Sequence, residues 1–143
     1  MNMDQILAQG DALSTEEFIR AVRELRCDAQ VWKELDRFPQ YVRDLLYIAA
    51  FEDYAEGGRL DLLVELDQCE PTCQALQNCG EFQAMSILRR AKRLADAARK
   101  SGTDYDWEEM FRLNEEIGLY YNQNYDYFYD RMKSYAEEYR GKN

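Results

Sequence analysis

The sequence contains no histidine, only two prolines and seven glycines, and four cysteines among its 143 residues. Without histidine, neither a Ser-His-Asp nor a Cys-His catalytic arrangement can be built, and histidine-bearing metal sites are excluded. Four cysteines are too sparse to staple a small fold with disulfides. No apolar run exceeds the seven residues from Leu45 to Phe51, so no membrane-spanning helix is expected. Neither G-x-x-x-x-G-K-S/T nor G-x-G-x-x-G occurs, which removes the common phosphate-cradling loops. The start, Met1-Asn2-Met3-Asp4, is acidic and lacks the basic and apolar regions of a signal peptide. A cytoplasmic location follows as the expectation, with Cys27, Cys69, Cys73 and Cys79 reduced. The spacing Cys69-x3-Cys73-x5-Cys79 is not the paired C-x-x-C of a zinc site, so buried thiols are expected and no metal or cofactor.

Hydrophobic residues make up 46% of the chain and aromatic residues 13%, enough for one compact domain over residues 1–143 with a real core. Helix formers dominate and period-2 alternation is rare, so the expected fold is all-α, a bundle of about seven or eight helices with short loops. Ser14-Thr15-Glu16-Glu17 forms a capping box, and Phe18, Ile19, Val22 and Leu25 continue at helical spacing to about Arg26. Asp28 can cap a short second helix, with Val31, Trp32, Leu35 and Phe38 inward, that Pro39 stops. A helix from about Gln40 to Glu56 is apolar on every face in its middle, as a central helix would be. Gly57 and Gly58 end it. Leu60 to Leu66 reads as a short helix, with a strand as the alternative.

Glu70-Pro71 opens another short helix, with Cys73 and Leu76 inward, that Gly80 closes. A long helix follows from about Glu81 to Lys100, its buried stripe rich in alanine, and Ser101-Gly102 ends it. Asp104 can cap the next helix, where Trp107, Met110, Phe111, Asn114, Ile117 and Tyr121 share one face. The last helix carries Tyr125, Phe128, Met132, Tyr135 and Tyr139 inward, after a bend at Asn122-Gln123-Asn124. Of 11 tyrosines, seven lie between Tyr120 and Tyr139. Tyr120, Tyr127 and Tyr129 fall off the inward stripe and suit an interface.

The net charge is −10. It is unevenly spread: residues 1–80 hold 16 acids and 7 bases, residues 81–103 hold 2 and 6, and residues 104–143 hold 10 and 5. The basic face of Arg89, Arg90, Lys92 and Arg93 is expected to pair with acids of the same domain. An anionic surface repels nucleic acid and anionic membranes and attracts cationic surfaces. Carboxylates at i and i+4 on a helix stand about 5–6 Å apart. Rows of them could take the place of phosphates in a basic groove. The candidate rows are Glu52, Asp53 and Glu56 near the Gly-Gly turn, Glu108, Glu115 and Glu116 on the next-to-last helix, and Asp126, Asp130 and Glu137 on the last. Adjacent acids such as Glu115-Glu116 point in different directions on a helix, so they read as surface rather than as an acid–base pair.

From Phe51 onward the chain resembles the bacterial DNA-mimic protein family, whose domain was first catalogued as one of unknown function. The resemblance covers residues 45–140. Phe51-Glu52-Asp53-Tyr54-Ala55-Glu56-Gly57-Gly58 stands where that family has a helix ending in an acidic residue and Asn-Gly-Gly. Pro71 to Gly80 is similar to its proline-led helix and turn. Ser86-Ile87-Leu88-Arg89-Arg90-Ala91 and Leu113-Asn114-Glu115-Glu116-Ile117-Gly118-Leu119-Tyr120-Tyr121 are similar to its next two helices. Glu56 stands for the usual Asn, Arg59-Leu60-Asp61 for Phe-x-Gln, and Asn114 for Asp. The resemblance implies an all-α interaction protein, compatible with a homodimer, that meets its partners through negatively charged surfaces. The expected function is that of an acidic, non-enzymatic protein-binding module. It would occupy the nucleic-acid-binding surface of a basic protein such as a transcription regulator. The alternatives are an immunity-type inhibitor of a basic toxin and, in a different class, a carboxylate-based enzyme.

Overall fold

The computed structural model describes residues 1–141. Among these residues there are nine α-helices and no strand. They are α1 (Met3–Gln9), α2 (Thr15–Leu25), α3 (Ala29–Lys33), α4 (Gln40–Gly57), α5 (Leu60–Leu63), α6 (Cys69–Asn78), α7 (Phe82–Ser101), α8 (Trp107–Gln123) and α9 (Tyr125–Tyr139). Short 3₁₀ turns at Gly10–Ala12 and Leu35–Arg37 link α1 to α2 and α3 to α4.

Helix α1 adds to the expected set. The Asn2 side chain accepts from the Gln5 N–H, and the Gln5 side chain accepts from the Asn2 N–H, each at 2.8 Å. This box starts a helix that buries Met3 and Ile6. The expected box at Ser14 and Glu17 closes at 3.1 Å in both directions. Asp28 caps α3 by accepting the Gln30 N–H at 2.9 Å. Residues 60–63 form a helical turn rather than a strand, since their neighbours are helices with no edge to pair with. The cap of α8 is Asp106, not Asp104: its Oδ1 accepts the Glu109 N–H at 3.2 Å.

Helix α4 is the axis of the fold, in contact with α2, α6 and α8, and with α9 more lightly. Leu45, Leu46 and Ile48 are fully buried along it. Helix α7 closes over α6 and α8 through Ala84, Ala91 and Ala95, whose small side chains let backbones approach. One continuous hydrophobic cluster runs from Met3 to Ala136. Two aromatic expectations need correction. Trp107 and Phe111 are exposed, because Met110, Leu113, Asn114, Ile117 and Tyr121 complete the buried stripe of α8 without them. Tyr125 and Tyr139 are also exposed, since Phe128, Met132, Tyr135 and Ala136 fill the inner face of α9. Among the described residues no helix is long and apolar enough to cross a membrane.

The Gly-Gly turn sets the distance between α4 and α8. Gly58 takes the left-handed conformation at φ +63°, and a Cβ there would lie 2.9 Å from the Asn114 carbonyl oxygen. Gly118 faces it across the same contact. Gly80 closes α6 at φ +83°, but in open space. Gly58→Ala is therefore expected to cost about 2–4 kcal/mol from backbone strain and a clash with rigid backbone together. Gly80→Ala should cost only about 1 kcal/mol, from strain alone, and Gly57→Ala should be nearly silent. Urea unfolding midpoints of the three variants check the order.

Candidate functional site

Helix α4 carries two carboxylates into the interior, Asp44 and Glu52, one on each side of the apolar run Leu45–Phe51. They are eight residues apart, about two turns, and so share a face. Glu52 was expected on the acidic surface; the structure corrects this, with the residue only 7% exposed. Its Oε1 accepts from Arg23 Nε at 3.0 Å and its Oε2 from Arg23 Nη2 at 2.7 Å. The Tyr121 hydroxyl donates to Oε2 as well. Burial pushes the Glu52 carboxyl above the ordinary value of 4.5, against the pull of Arg23 and Tyr121. Asp44 is held in a comparable way. It accepts from the Tyr135 hydroxyl, from Gln40 Nε2 at 2.8 Å and from Asn78 Nδ2 at 3.0 Å.

Two further buried acids follow the same rule. Glu81, fully buried just before α7, accepts from the Tyr120 hydroxyl and from Arg131 Nη1, both at 3.2 Å. Burial pushes its carboxyl up too. Asp61 on α5 accepts from Arg59 at 3.0 and 2.9 Å and from Asn114 Nδ2 at 2.9 Å. Those partners hold its carboxyl below the usual carboxylate range, the Arg59 hydrogen bonds most of all. Tyrosine thus supplies the donor in three of the four cases. Spacing alone assigns Tyr121 and Tyr135 to core packing and leaves Tyr120 off the stripe. For Tyr121 and Tyr135 the signal of a polar role is an acid on either side of an otherwise apolar run.

Above Glu52 lies an open pocket of about 360 Å³ that gathers the three acids of the first expected row with Arg23, Arg26 and Tyr121. Its charges are largely matched. Asp53 accepts from Arg26 at 2.8 and 3.2 Å. Glu56 is exposed and has no ion pair among the described residues; its carbonyl accepts from Asn122 at 3.3 Å beside the α8–α9 bend. With both oxygens of Glu52 bonded and Asp53 paired, this pocket offers no free acid–base couple.

The other two rows divide. On α8, Glu108 pairs with Arg112 at 2.8 Å and Glu116 with Arg90 at 2.6 Å, while Glu115 is exposed without an ion pair among the described residues. On α9, Asp126, Asp130 and Glu137 are all exposed and likewise unpaired among the described residues. Lys133 stands on the same face of that helix between them and pairs with Glu16 of α2 at 2.6 Å. The basic face of α7 is largely consumed at home: Arg89 by Glu70 at 3.8 Å, Arg90 by Glu116, and Lys92 by Asp96 at 2.8 Å. Cys69, Cys73 and Cys79 are buried free thiols. Burial pushes Cys73 up to about 11 and Cys79 up to about 12, far from nucleophilic range. Among the described residues no group of three or more Cys, Asp or Glu is placed to hold a metal ion.

Glu52→Ala should destabilise the fold by about 3–5 kcal/mol, because it strands Arg23 in a half-buried site. Tyr121→Phe should cost about 1–2 kcal/mol through one lost bond to a charged group. Both are read from chemical unfolding. For Glu81 the folded carboxyl binds its proton more tightly than the unfolded one. Its contribution is complete below the unfolded value of 4.5 and is lost as pH rises through the higher folded value. The cost of Glu81→Gln should therefore shrink as pH rises above about 4.5, measured as the difference in unfolding free energy from the parent at each pH.

The chain matches no known family model, no curated protein and no solved structure.

Proposed function

We propose that the protein is a non-enzymatic acidic binding module that docks on the cationic surface of a partner protein. Imitation of nucleic acid on a DNA-binding protein, as in the family it resembles, is the specific form. The observation that carries this reading is the division of its carboxylates. Those inside the fold, Asp44, Glu52, Asp61 and Glu81, have every role taken by structural donors. Glu56, Glu115, Asp126, Asp130 and Glu137 face solvent with no ion pair among the described residues. Exposed anions outside any ion pair are available to an incoming cationic surface at little desolvation cost, whereas a reaction centre would need acids converging in a cleft with unsatisfied protons to move.

Lys133 interrupts the α9 row, so these carboxylates form short groups rather than one unbroken file of charge. A surface of that kind supports contacts to several separate basic side chains. Such binding gains much of its strength from long-range attraction and weakens steeply with salt.

Immobilised protein should retain basic nucleic-acid-binding proteins from lysate at about 50 mM salt and release them by about 500 mM, as phosphate-competing contacts do. Added duplex DNA should elute the same proteins. The combined variant Asp126→Asn, Asp130→Asn, Glu137→Gln should retain at least several-fold less. Retention that ignores both salt and the triple substitution refutes the reading.

A further inference from the structure

A second concavity, of about 470 Å³, opens between α5 and the loop that joins α7 to α8. Its walls are unusual for a surface. Leu62 is 46% exposed and Trp107 40% exposed, and both line it. Tyr105 meets Trp107 edge to face at 5.1 Å, and Trp107 meets Phe111, itself 60% exposed, at 5.5 Å. Single exposed apolar residues need no explanation, but a contiguous group around one hollow marks an interaction site. The core does not need Trp107 or Phe111, since the inner stripe of α8 is complete without them, while the half-buried Tyr105 packs against the core and backs the hollow.

The rim states what kind of partner fits. Asp61 is already bonded to Arg59 and Asn114. Arg99 donates to Asp96 at 3.2 Å and to the Val64 carbonyl at 2.7 Å. Glu65 and Asp104 are exposed and, among the described residues, have no ion pair. Asp96 also serves Lys92, so Arg99 counts as a cation of the lining, and against it stand Asp61, Glu65 and Asp104; the rim is net negative. A second copy of the chain would bring the same acids against themselves, under a net charge of −10 on each molecule. An apolar segment without charge would leave both carboxylates unmatched. A cation with flat apolar faces satisfies walls and rim together.

We propose that this pocket receives an arginine side chain from the partner protein, its guanidinium stacked on the Trp107 ring beside the edge-on Tyr105 and paired with Glu65 and Asp104. A neighbouring aliphatic residue of the same segment rests on Leu62. Arginine suits the pocket better than lysine because its planar, weakly hydrated head stacks on rings and bonds carboxylates two-pronged, whereas an ammonium is a hydrated point charge. The proposal rests on the acidic-module reading and names its anchor point, away from the α9 acids.

The test uses the full chain and the peptide acetyl-Leu-Arg-Leu-Arg-Leu-Arg-amide, with a citrulline counterpart that keeps the shape and removes the charge. The two tryptophans give separate reporters, since the Trp32 indole N–H is tied to the Arg26 carbonyl at 2.7 Å. Titration with the arginine peptide should move the Trp107 indole N–H signal in nuclear magnetic resonance along a saturating curve and leave that of Trp32 in place. The citrulline peptide and the W107A variant should each bind roughly tenfold more weakly or worse. The variant Glu65→Gln, Asp104→Asn leaves every ring in place and should also weaken binding several-fold. Equal binding by W107A, by the charge-neutral variant or by the citrulline peptide overturns the proposal, as does a response confined to the α9 acids. Because the peptide reads the pocket directly, this outcome is separate from the lysate experiment. Basic proteins retained equally by the parent and W107A would overturn the pocket and leave the acidic-surface reading in place.

Discussion

A helix enclosed by its neighbours that still carries two carboxylates imposes a condition on everything around it. Helix α4 is such a helix, and the condition is that donors reach Asp44 and Glu52 from outside. An ionised carboxylate stranded in a protein interior costs several kcal/mol, more than a small domain can spare. The fold meets the condition with side chains from four other helices and one from α4 itself. Arg23 comes from α2, Asn78 from α6, Tyr121 from α8 and Tyr135 from α9, while Gln40 reaches along α4 itself. Glu81 and Asp61 repeat the arrangement at the edges of the core with Tyr120, Arg131, Arg59 and Asn114. Apolar stripes set which face of each helix turns inward. The carboxylates narrow that orientation further, because each donor has to reach its acceptor at hydrogen-bond distance.

The acidity of the chain is thus several properties with one sign. One set of carboxylates fixes helix orientation and is unavailable to anything else. A second set, including Asp53, Glu108 and Glu116, is neutralised by arginines of the same molecule. Exposed pairs of this kind contribute little to stability, about 0–1 kcal/mol each, but they remove both charges from what a partner meets. The third set is unpaired among the described residues and gives the surface its outward field. A count of acids and bases sees only the total, which is why net charge alone does not say where a partner would sit.

The helical framework was legible because its signals are local. The Ser14–Glu17 box, the Asp28 cap, the apolar middle of α4 and the Gly57-Gly58 stop all act within a few residues, and all appear where spacing put them. Helix α1 carries the same kind of box at Asn2 and Gln5, but it buries only Met3 and Ile6 over seven residues, too short a stripe for periodicity to mark. Trp107 and Phe111 were placed inside because they continue a helical stripe. Periodicity gives the direction of a buried face but not its width, and five neighbours already filled it. Within the first expected row, Asp53 and Glu56 lie on the surface as read, but Glu52 does not. Its burial depends on Arg23, 29 residues earlier, and Tyr121, 69 residues later. No local pattern records a partnership of that span.

The order in which the donors arrive has a bearing on the birth of the molecule. Asp44 waits for a phenol 91 positions further along, and Glu52 for one 69 positions further. A nascent chain that has exposed α4 but not yet α8 and α9 already holds Arg23 for Glu52 and Gln40 for Asp44, but neither phenol. Full satisfaction of both carboxylates is thus a property of the whole bundle, complete only once the last two helices have docked.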